Sequence, residues 1–310
     1  MKKLVITLSV LAVILILLPF LTGDLEVNEL NDGTRKDLGM KFIKLTDGTV
    51  HYDIHGPEKG EIVVLVHGNA APYFSWDKNI KALTGSGFRV ITYDLYGFGY
   101  SDRPDIVYDR ALYDRQLLEL LSKLDIKGPI NLVGTSQGGS ISVNFTANHP
   151  ERVKRLALLS PFVKALPMKA IIGLMRVPGV GNYLVRVLLD RVNVNYPQKV
   201  FADTKAIPAD YTEQYLKQIS YRGFKRARLS NLRSDSLRDI SAQYKAVGGT
   251  KIPVLLTWGT ADQVIMADSI DIIKKAIPRL RYYEIAGGGH LVHYENPDKV
   301  NPVLVRFLRK

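Results

Sequence analysis

The sequence of 310 residues contains no cysteine, and this absence is the first constraint on its chemistry. A chain without thiols has no disulfide bonds, no cysteine nucleophile and no Cys-ligated zinc site. Hydrophobic residues make up 46% of the chain and charged residues 23%, so a large core can form and extensive disorder is excluded. The sequence is therefore typical of a globular protein, and metal ligands would have to be histidines and carboxylates.

Acidic residues are scarce in one internal segment, which holds most of the formal net charge of +12. Residues 162–250 contain 15 basic and 6 acidic residues, a net charge of +9. No recognised nucleic-acid-binding motif accompanies this charge, and the rest of the chain is close to neutral. We therefore expect no nucleic acid partner.

The longest apolar run lies near the N-terminus, at residues 4–21, and follows Lys2 and Lys3. A helix of this length extends roughly 27 Å, close to the hydrocarbon thickness of a bilayer. Basic residues before the run and acidic residues after it predict a cytoplasmic N-terminus. We interpret residues 1–23 as a transmembrane signal-anchor with the rest of the chain on the extracytoplasmic side. The alternative is a cleaved signal sequence and a secreted or periplasmic protein.

The rest of the chain alternates short apolar runs with helical periodicity. After a polar linker at 24–39, Asp47-Gly48 is a strong hairpin signal between two strand-like runs. Buried strands then alternate with helical stretches up to residue 161, and the alternation resumes over 251–310. This pattern predicts an α/β fold whose mostly parallel central sheet has helices on both faces. The first four buried strands are predicted at 62–66, 88–93, 130–133 and 153–159.

Residues 162–250, called the insertion below, interrupt this alternation with a mainly helical pattern. We interpret them as a lid over a core formed by 40–161 and 251–310. Long apolar runs with isolated basic residues suit a cover for an apolar pocket and also a surface that contacts lipid headgroups. We therefore expect a membrane lipid surface as a partner. The alternative is that the apolar residues pack on the sheet and the charges are solvated. Nothing in the sequence predicts the oligomeric state.

A G-x-S-x-G string with Ser136 at its centre follows a predicted strand and precedes a predicted helix. Gly134 and Gly138 allow the strand and the helix to pack closely around a strained turn that exposes the serine. The turn lies at a helix N-terminus, which favours developing negative charge. An earlier strand ends just before Asn69, whose backbone N–H can join that of Gln137 in an oxyanion hole.

With these motifs, the chain from about residue 40 to its end resembles the α/β-hydrolase superfamily, which includes carboxylesterases and monoacylglycerol lipases. In that family an acidic residue follows a late strand and a histidine follows the last strand, in the order Ser, Asp, His. The matching residues here are Asp262 and His290. The resemblance implies that Ser136 attacks a carbonyl, that His290 takes its proton and that Asp262 orients the imidazole.

Other residues compete for two of these roles. His293 lies three residues past His290, but the glycines just before His290 supply the tight loop and favour the earlier histidine. Asp268 and Asp271 fall where a helix should already have begun, so we interpret them as solvated helix charges. His67, at the end of the first buried strand, is interpreted as structural.

A serine at this position argues against the epoxide hydrolases and haloalkane dehalogenases of the superfamily, which need a carboxylate nucleophile. The resemblance implies hydrolysis of carboxylic esters through an acyl-enzyme, with no metal or organic cofactor. We expect a carboxylesterase or lipase that acts on small-molecule acyl esters. The alternatives are a carbon–carbon bond hydrolase of the meta-cleavage type and a catalytically silent hydrolase fold used for binding.

Overall fold

The computed structural model describes residues 2–21, 23–69, 71–164 and 170–310. In this part of the chain one sheet contains eight strands, in the order β1-β2-β4-β3-β5-β6-β7-β8. The strands are β1 (Lys41–Leu45), β2 (Gly48–His55), β3 (Glu61–Val66), β4 (Phe88–Tyr93), β5 (Ile130–Thr135), β6 (Val153–Leu159), β7 (Val254–Gly259) and β8 (Arg281–Ile285).

Helices separate the strands and occupy the insertion. Those outside it are α1 (Lys2–Leu21), α2 (Asp32–Leu38), α3 (Asp77–Thr84), α4 (Arg110–Lys123), α5 (Gln137–Asn148), α12 (Ala267–Ala276), α13 (Val292–Glu295) and α14 (Pro297–Arg309). Those inside it are α6 (Ala170–Arg176), α7 (Val180–Val194), α8 (Pro197–Val200), α9 (Ala209–Ile219), α10 (Phe224–Arg233) and α11 (Ser241–Gly249). Short 3₁₀ turns lie at Tyr73–Trp76, Pro150–Arg152 and Thr204–Ala206.

The predicted fold class is confirmed. β2 pairs antiparallel with β1, through the hairpin at Asp47-Gly48, and also with β4, whereas the other five pairs of the sheet are parallel. Alternate residues of β3 contribute to two separate apolar clusters, because successive side chains point to opposite faces of a strand. One cluster includes α4 and α5, and the other includes α3 and α14, so helices cover both faces of the sheet.

The order of the strands fixes the place where ligands bind. The chain leaves β3 for β4 on one side and later returns to form β5 on the other side of β3. In open α/β sheets, the loops after two such strands separate and leave a crevice at the carboxyl edge. The insertion begins beyond the end of β6, next to β5, and is therefore well placed to cover that crevice.

The prediction of a membrane anchor is wrong. In the described part of the chain, no helix combines the length and the apolar character needed to cross a bilayer. A spanning helix needs about 20 consecutive apolar residues. The extracytoplasmic location inferred from an anchor is likewise not supported. Met1 and Thr22, which also belong to the predicted segment, lie outside the described residues.

Part of the basic charge of the insertion is paired with acidic residues of the same chain. Nζ of Lys225 lies 2.8 Å from a carboxylate oxygen of Asp24 and 2.6 Å from one of Asp190. Arg222 pairs with Glu29 at 2.6 Å. The segment predicted as a polar linker is thus tied to the insertion by ion pairs. Because these basic residues are already paired, they contribute less to attraction between the insertion and an anionic lipid surface. Binding of the insertion to such a surface stays a prediction.

We expect Lys225→Met to lower the free energy of unfolding by about 1.5–3 kcal/mol, because two carboxylates then lose a nearly buried partner. Only 7% of the Lys225 side chain is exposed. Arg222→Met is the matched control, since that pair is solvated and should contribute less than about 1 kcal/mol. Urea unfolding measures both variants, and equal losses would contradict the structural role given to Lys225.

Candidate functional site

The nucleophile candidate lies on a strained turn between β5 and α5. Ser136 has φ 52° and ψ −123°, a backbone conformation that residues other than glycine rarely adopt. The glycines two positions before and after Ser136 have no room for a side chain. A Cβ on Gly138 would lie 2.2 Å from the carbonyl oxygen of Val66, and a Cβ on Gly134 would lie 2.4 Å from the carbonyl oxygen of Gly138. The two glycines are therefore required for the close packing that the sequence motif predicted.

The structure brings the three predicted residues of the site into one chain of hydrogen bonds. Nε2 of His290 lies 2.9 Å from Oγ of Ser136, and Nδ1 lies 3.0 Å from Oδ2 of Asp262. A carboxylate only accepts, so Nδ1 carries the proton and Nε2 is left to accept from the serine hydroxyl. All three residues are buried.

Asp262 is held by more than the histidine. Its Oδ1 accepts hydrogen bonds from the backbone N–H groups of Val264 and Ile265, at 2.8 and 2.9 Å. Burial alone would raise the pKa of this carboxyl, but His290 and the two N–H groups outweigh burial and lower it below the ordinary value. Asp262 is therefore an anion at neutral pH and fixes the orientation of the imidazole.

The predicted oxyanion residues, Asn69 and Gln137, both line the cavity into which Ser136 opens. Gln137 is the first residue of α5, so its N–H belongs to the first turn, where backbone donors have no partner inside the helix. The carbonyl oxygen of Asn69 accepts a 2.8 Å hydrogen bond from the hydroxyl of Tyr196, which holds the loop after β3.

The competing residues lie elsewhere. His293 is buried against Trp76, with ring centres 4.4 Å apart, and burial and then His290 lower its pKa to about 3. Asp268 lies at the start of α12 and pairs with Lys164 at the surface. His67 donates from Nδ1 to a carbonyl and accepts from a backbone N–H at Nε2, which is a structural role.

An apolar cavity of about 430 Å³ lies over the serine. Its walls come from the carboxyl edge of the sheet and from the insertion, and include two cations, Lys199 and Arg228. Among the described residues no cluster of three or more His, Asp or Glu side chains is arranged to hold a metal ion. The apolar lining contains Phe162, Ile171, Ile172, Met175, Val185, Leu188, Leu189, Val192, Leu229, Leu232, Leu237, Val264 and Ile265.

Several contacts between the insertion and the site were not predicted from the sequence. The side-chain amide of Gln137 donates to Asn231 at 3.1 Å and to Ser236 at 2.7 Å. Asn231 in turn donates to the hydroxyl of Tyr113 at 3.0 Å. These partners are about one hundred residues apart in the chain, so no local motif signals them.

Comparison with known proteins identifies the family of this chain. The family model for the alpha/beta hydrolase fold matches residues 61–297, which is most of the chain. The protein therefore belongs to the α/β-hydrolase family.

Three similar proteins illustrate the range of the family. The chain is 28% identical over 295 residues to a 2-hydroxy-6-oxononadienedioate/2-hydroxy-6-oxononatrienedioate hydrolase of Pseudomonas putida, covering 86% of this chain and 96% of that protein. It is also 28% identical to Lipase 1 of Psychrobacter immobilis, covering 86% and 82%. The crystal structure of an enol-lactonase from Burkholderia xenovorans matches with a TM-score of 0.70 at 23% identity, covering 87% and 100%, and shows the shared fold.

We expect Gly138→Ala to destabilise the protein by about 1–3 kcal/mol, because the added methyl group overlaps backbone atoms that cannot move aside easily. Gly128→Ala is the control, since no atom lies within 4 Å of its added Cβ. Thermal unfolding compares the two variants. A Gly138→Ala protein as stable as the control would show that the elbow tolerates a side chain.

Proposed function

We propose that the protein is a serine hydrolase that cleaves carboxylic esters through an acyl-enzyme. The observation that carries this proposal is the hydrogen-bonded order Asp262–His290–Ser136 at the wall of an apolar cavity. A hydroxyl that donates to a neutral imidazole is poised to lose its proton as it attacks a carbonyl. The cavity suits an acyl chain better than a polar substrate, because its lining is almost entirely aliphatic.

In the proposed mechanism, Oγ of Ser136 attacks the ester carbonyl while His290 takes the proton. Asp262 holds the imidazole and stabilises its cation. The N–H groups of Asn69 and Gln137 stabilise the oxyanion of the tetrahedral intermediate. His290 then gives its proton to the leaving alcohol. Water attacks the acyl-enzyme while His290 takes a proton from it, and His290 returns that proton to Oγ of Ser136 as the carboxylic acid leaves.

The expected substrate is a small acyl ester, and the enzyme is a carboxylesterase or a lipase. Similarity to Lipase 1 of Psychrobacter immobilis supports this class. The second candidate is a carbon–carbon bond hydrolase, which the similarity to the Pseudomonas putida hydrolase supports. Turnover of simple aliphatic esters favours the first candidate, whereas turnover of a ring-cleavage dienoate without ester hydrolysis favours the second.

We expect Ser136→Ala to lower kcat for p-nitrophenyl esters by about 10⁴-fold or more, because the nucleophile is lost and only binding and oxyanion stabilisation remain. A series of acyl chain lengths measures the rate and separates esterase from lipase. Ser122→Ala, a change at an exposed serine, is the control. A fluorophosphonate probe should label the wild type and not Ser136→Ala. Equal rates or equal labelling in the two proteins would contradict the serine mechanism.

We expect Asp262→Asn to lower kcat by about 10⁴-fold, because an amide can stabilise the wrong tautomer of His290. Asp268→Asn is the matched control, and its kcat should stay within about threefold of the wild type, since that carboxylate pairs with Lys164 on the surface. If Asp268→Asn lost activity and Asp262→Asn kept it, the acid of the site would have to be reassigned.

A further inference from the structure

The guanidinium of Arg228 lies at the wall of the apolar cavity. Its Nη1 is buried and forms no hydrogen bond within the part of the chain that the structure describes. Its central carbon lies 5.9 Å from the ring centre of Tyr196 and 5.7 Å from that of Phe224. Contact with two aromatic rings holds the cation in place, but it leaves the N–H donors in the guanidinium plane free.

The other cations of α10 differ from Arg228 in this respect. Lys225 pairs with two carboxylates, and Arg226 pairs with Asp105 at 3.4 Å. Arg233 donates to backbone carbonyls of α6 and the turn after it. Arg228 forms no ion pair with a carboxylate among residues 2–21, 23–69, 71–164 and 170–310. A buried N–H without an acceptor is unfavourable, so the position is suited to an acceptor that a ligand brings.

Arg228 and Ser136 line the same cavity, and two residues near Arg228 bond to the predicted oxyanion residues. Asn231 follows Arg228 by three residues on the same face of α10, and its side chain bonds to Gln137, which is next to the serine. Tyr196, the ring under the guanidinium, donates its hydroxyl to the carbonyl oxygen of Asn69. The cation therefore lies near residues that bond to both predicted oxyanion residues.

A second cation lies on the same cavity. Lys199, on α8, lines the cavity with an exposed side chain, and it forms no ion pair in the described part of the chain. Two unpaired cations in a wall that is otherwise almost entirely aliphatic are not explained by binding of a neutral ester alone.

We propose that the cavity selects substrates in which an apolar chain carries a carboxylate, and that Arg228 binds this carboxylate. A guanidinium donates two parallel N–H bonds to a carboxylate, and this interaction is strong where apolar walls exclude water. Lys199 attracts the same anion at the cavity mouth. This inference names a substrate class for the proposed hydrolase and rests on that function.

The test compares esters of equal acyl length with and without a terminal carboxylate. Mono-p-nitrophenyl adipate and suberate are paired with p-nitrophenyl hexanoate and octanoate, and kcat/KM is measured for each. We expect the wild type to prefer the anionic member of a pair. Arg228→Gln should lower kcat/KM for that member by about 10- to 100-fold and change the neutral member by less than about threefold. Arg226→Gln, on the same helix but paired with Asp105, should keep the preference.

Calorimetric binding of suberate, a dicarboxylate that is not hydrolysed, separates this inference from the proposed function. Binding by the wild type that is lost in Arg228→Gln supports the anion site even if no ester is turned over, in which case the ester-hydrolase function alone has failed. Ester turnover without preference for the anionic members, or equal loss on both members in Arg228→Gln, would overturn the inference. Absence of suberate binding would overturn it as well.

Discussion

The backbone of Ser136 is held at a positive φ, and the geometry of the whole site depends on that one turn. Such a conformation costs about 1–3 kcal/mol, which the surrounding structure must offset. β5 lies between β3 and β6 with every residue buried, and α5 is buried over most of its length. This packing fixes the turn, and the turn directs the serine hydroxyl to His290 and the first N–H of α5 to the cavity.

The same turn explains why glycines gather at the carboxyl edge of the sheet. A Cβ on Gly68 would lie 2.8 Å from the Cβ of Ser136, and one on Gly259 would lie 2.2 Å from the carbonyl oxygen of Gly288. The loop after β3 therefore lies against the loop after β5, and the loop after β7 lies against the loop after β8. Because these loops carry the predicted oxyanion residues and the three predicted residues of the site, this close approach helps to bring Ser136, Asp262 and His290 within hydrogen-bond distance.

The sequence predicted the features that local patterns encode and missed those that depend on distant contacts. Buried strands, the hairpin and the motif around Ser136 have local signals, and the fold that they predict is confirmed. The bonds from Tyr196 to Asn69 and from Gln137 to Asn231 join residues 127 and 94 positions apart, and no local pattern marks Tyr196 or Asn231 as the partner. The anchor prediction was wrong, since no helix in the described part of the chain is long and apolar enough to cross a bilayer.

The net charge of the insertion is a second case in which the sequence does not predict contacts between distant residues. A net charge of +9 suggests an anionic surface as partner, but it counts Lys225 and Arg222 as free although both pair with the acidic segment that precedes the core. What matters for binding is the cation that remains unpaired and the medium around it. Arg228 is such a cation, and it lies in an apolar cavity beside the nucleophile, where low dielectric strengthens its attraction for an anion. The cations that pair with the acidic segment can therefore stabilise the insertion, and Arg228 is the one that we propose selects the substrate.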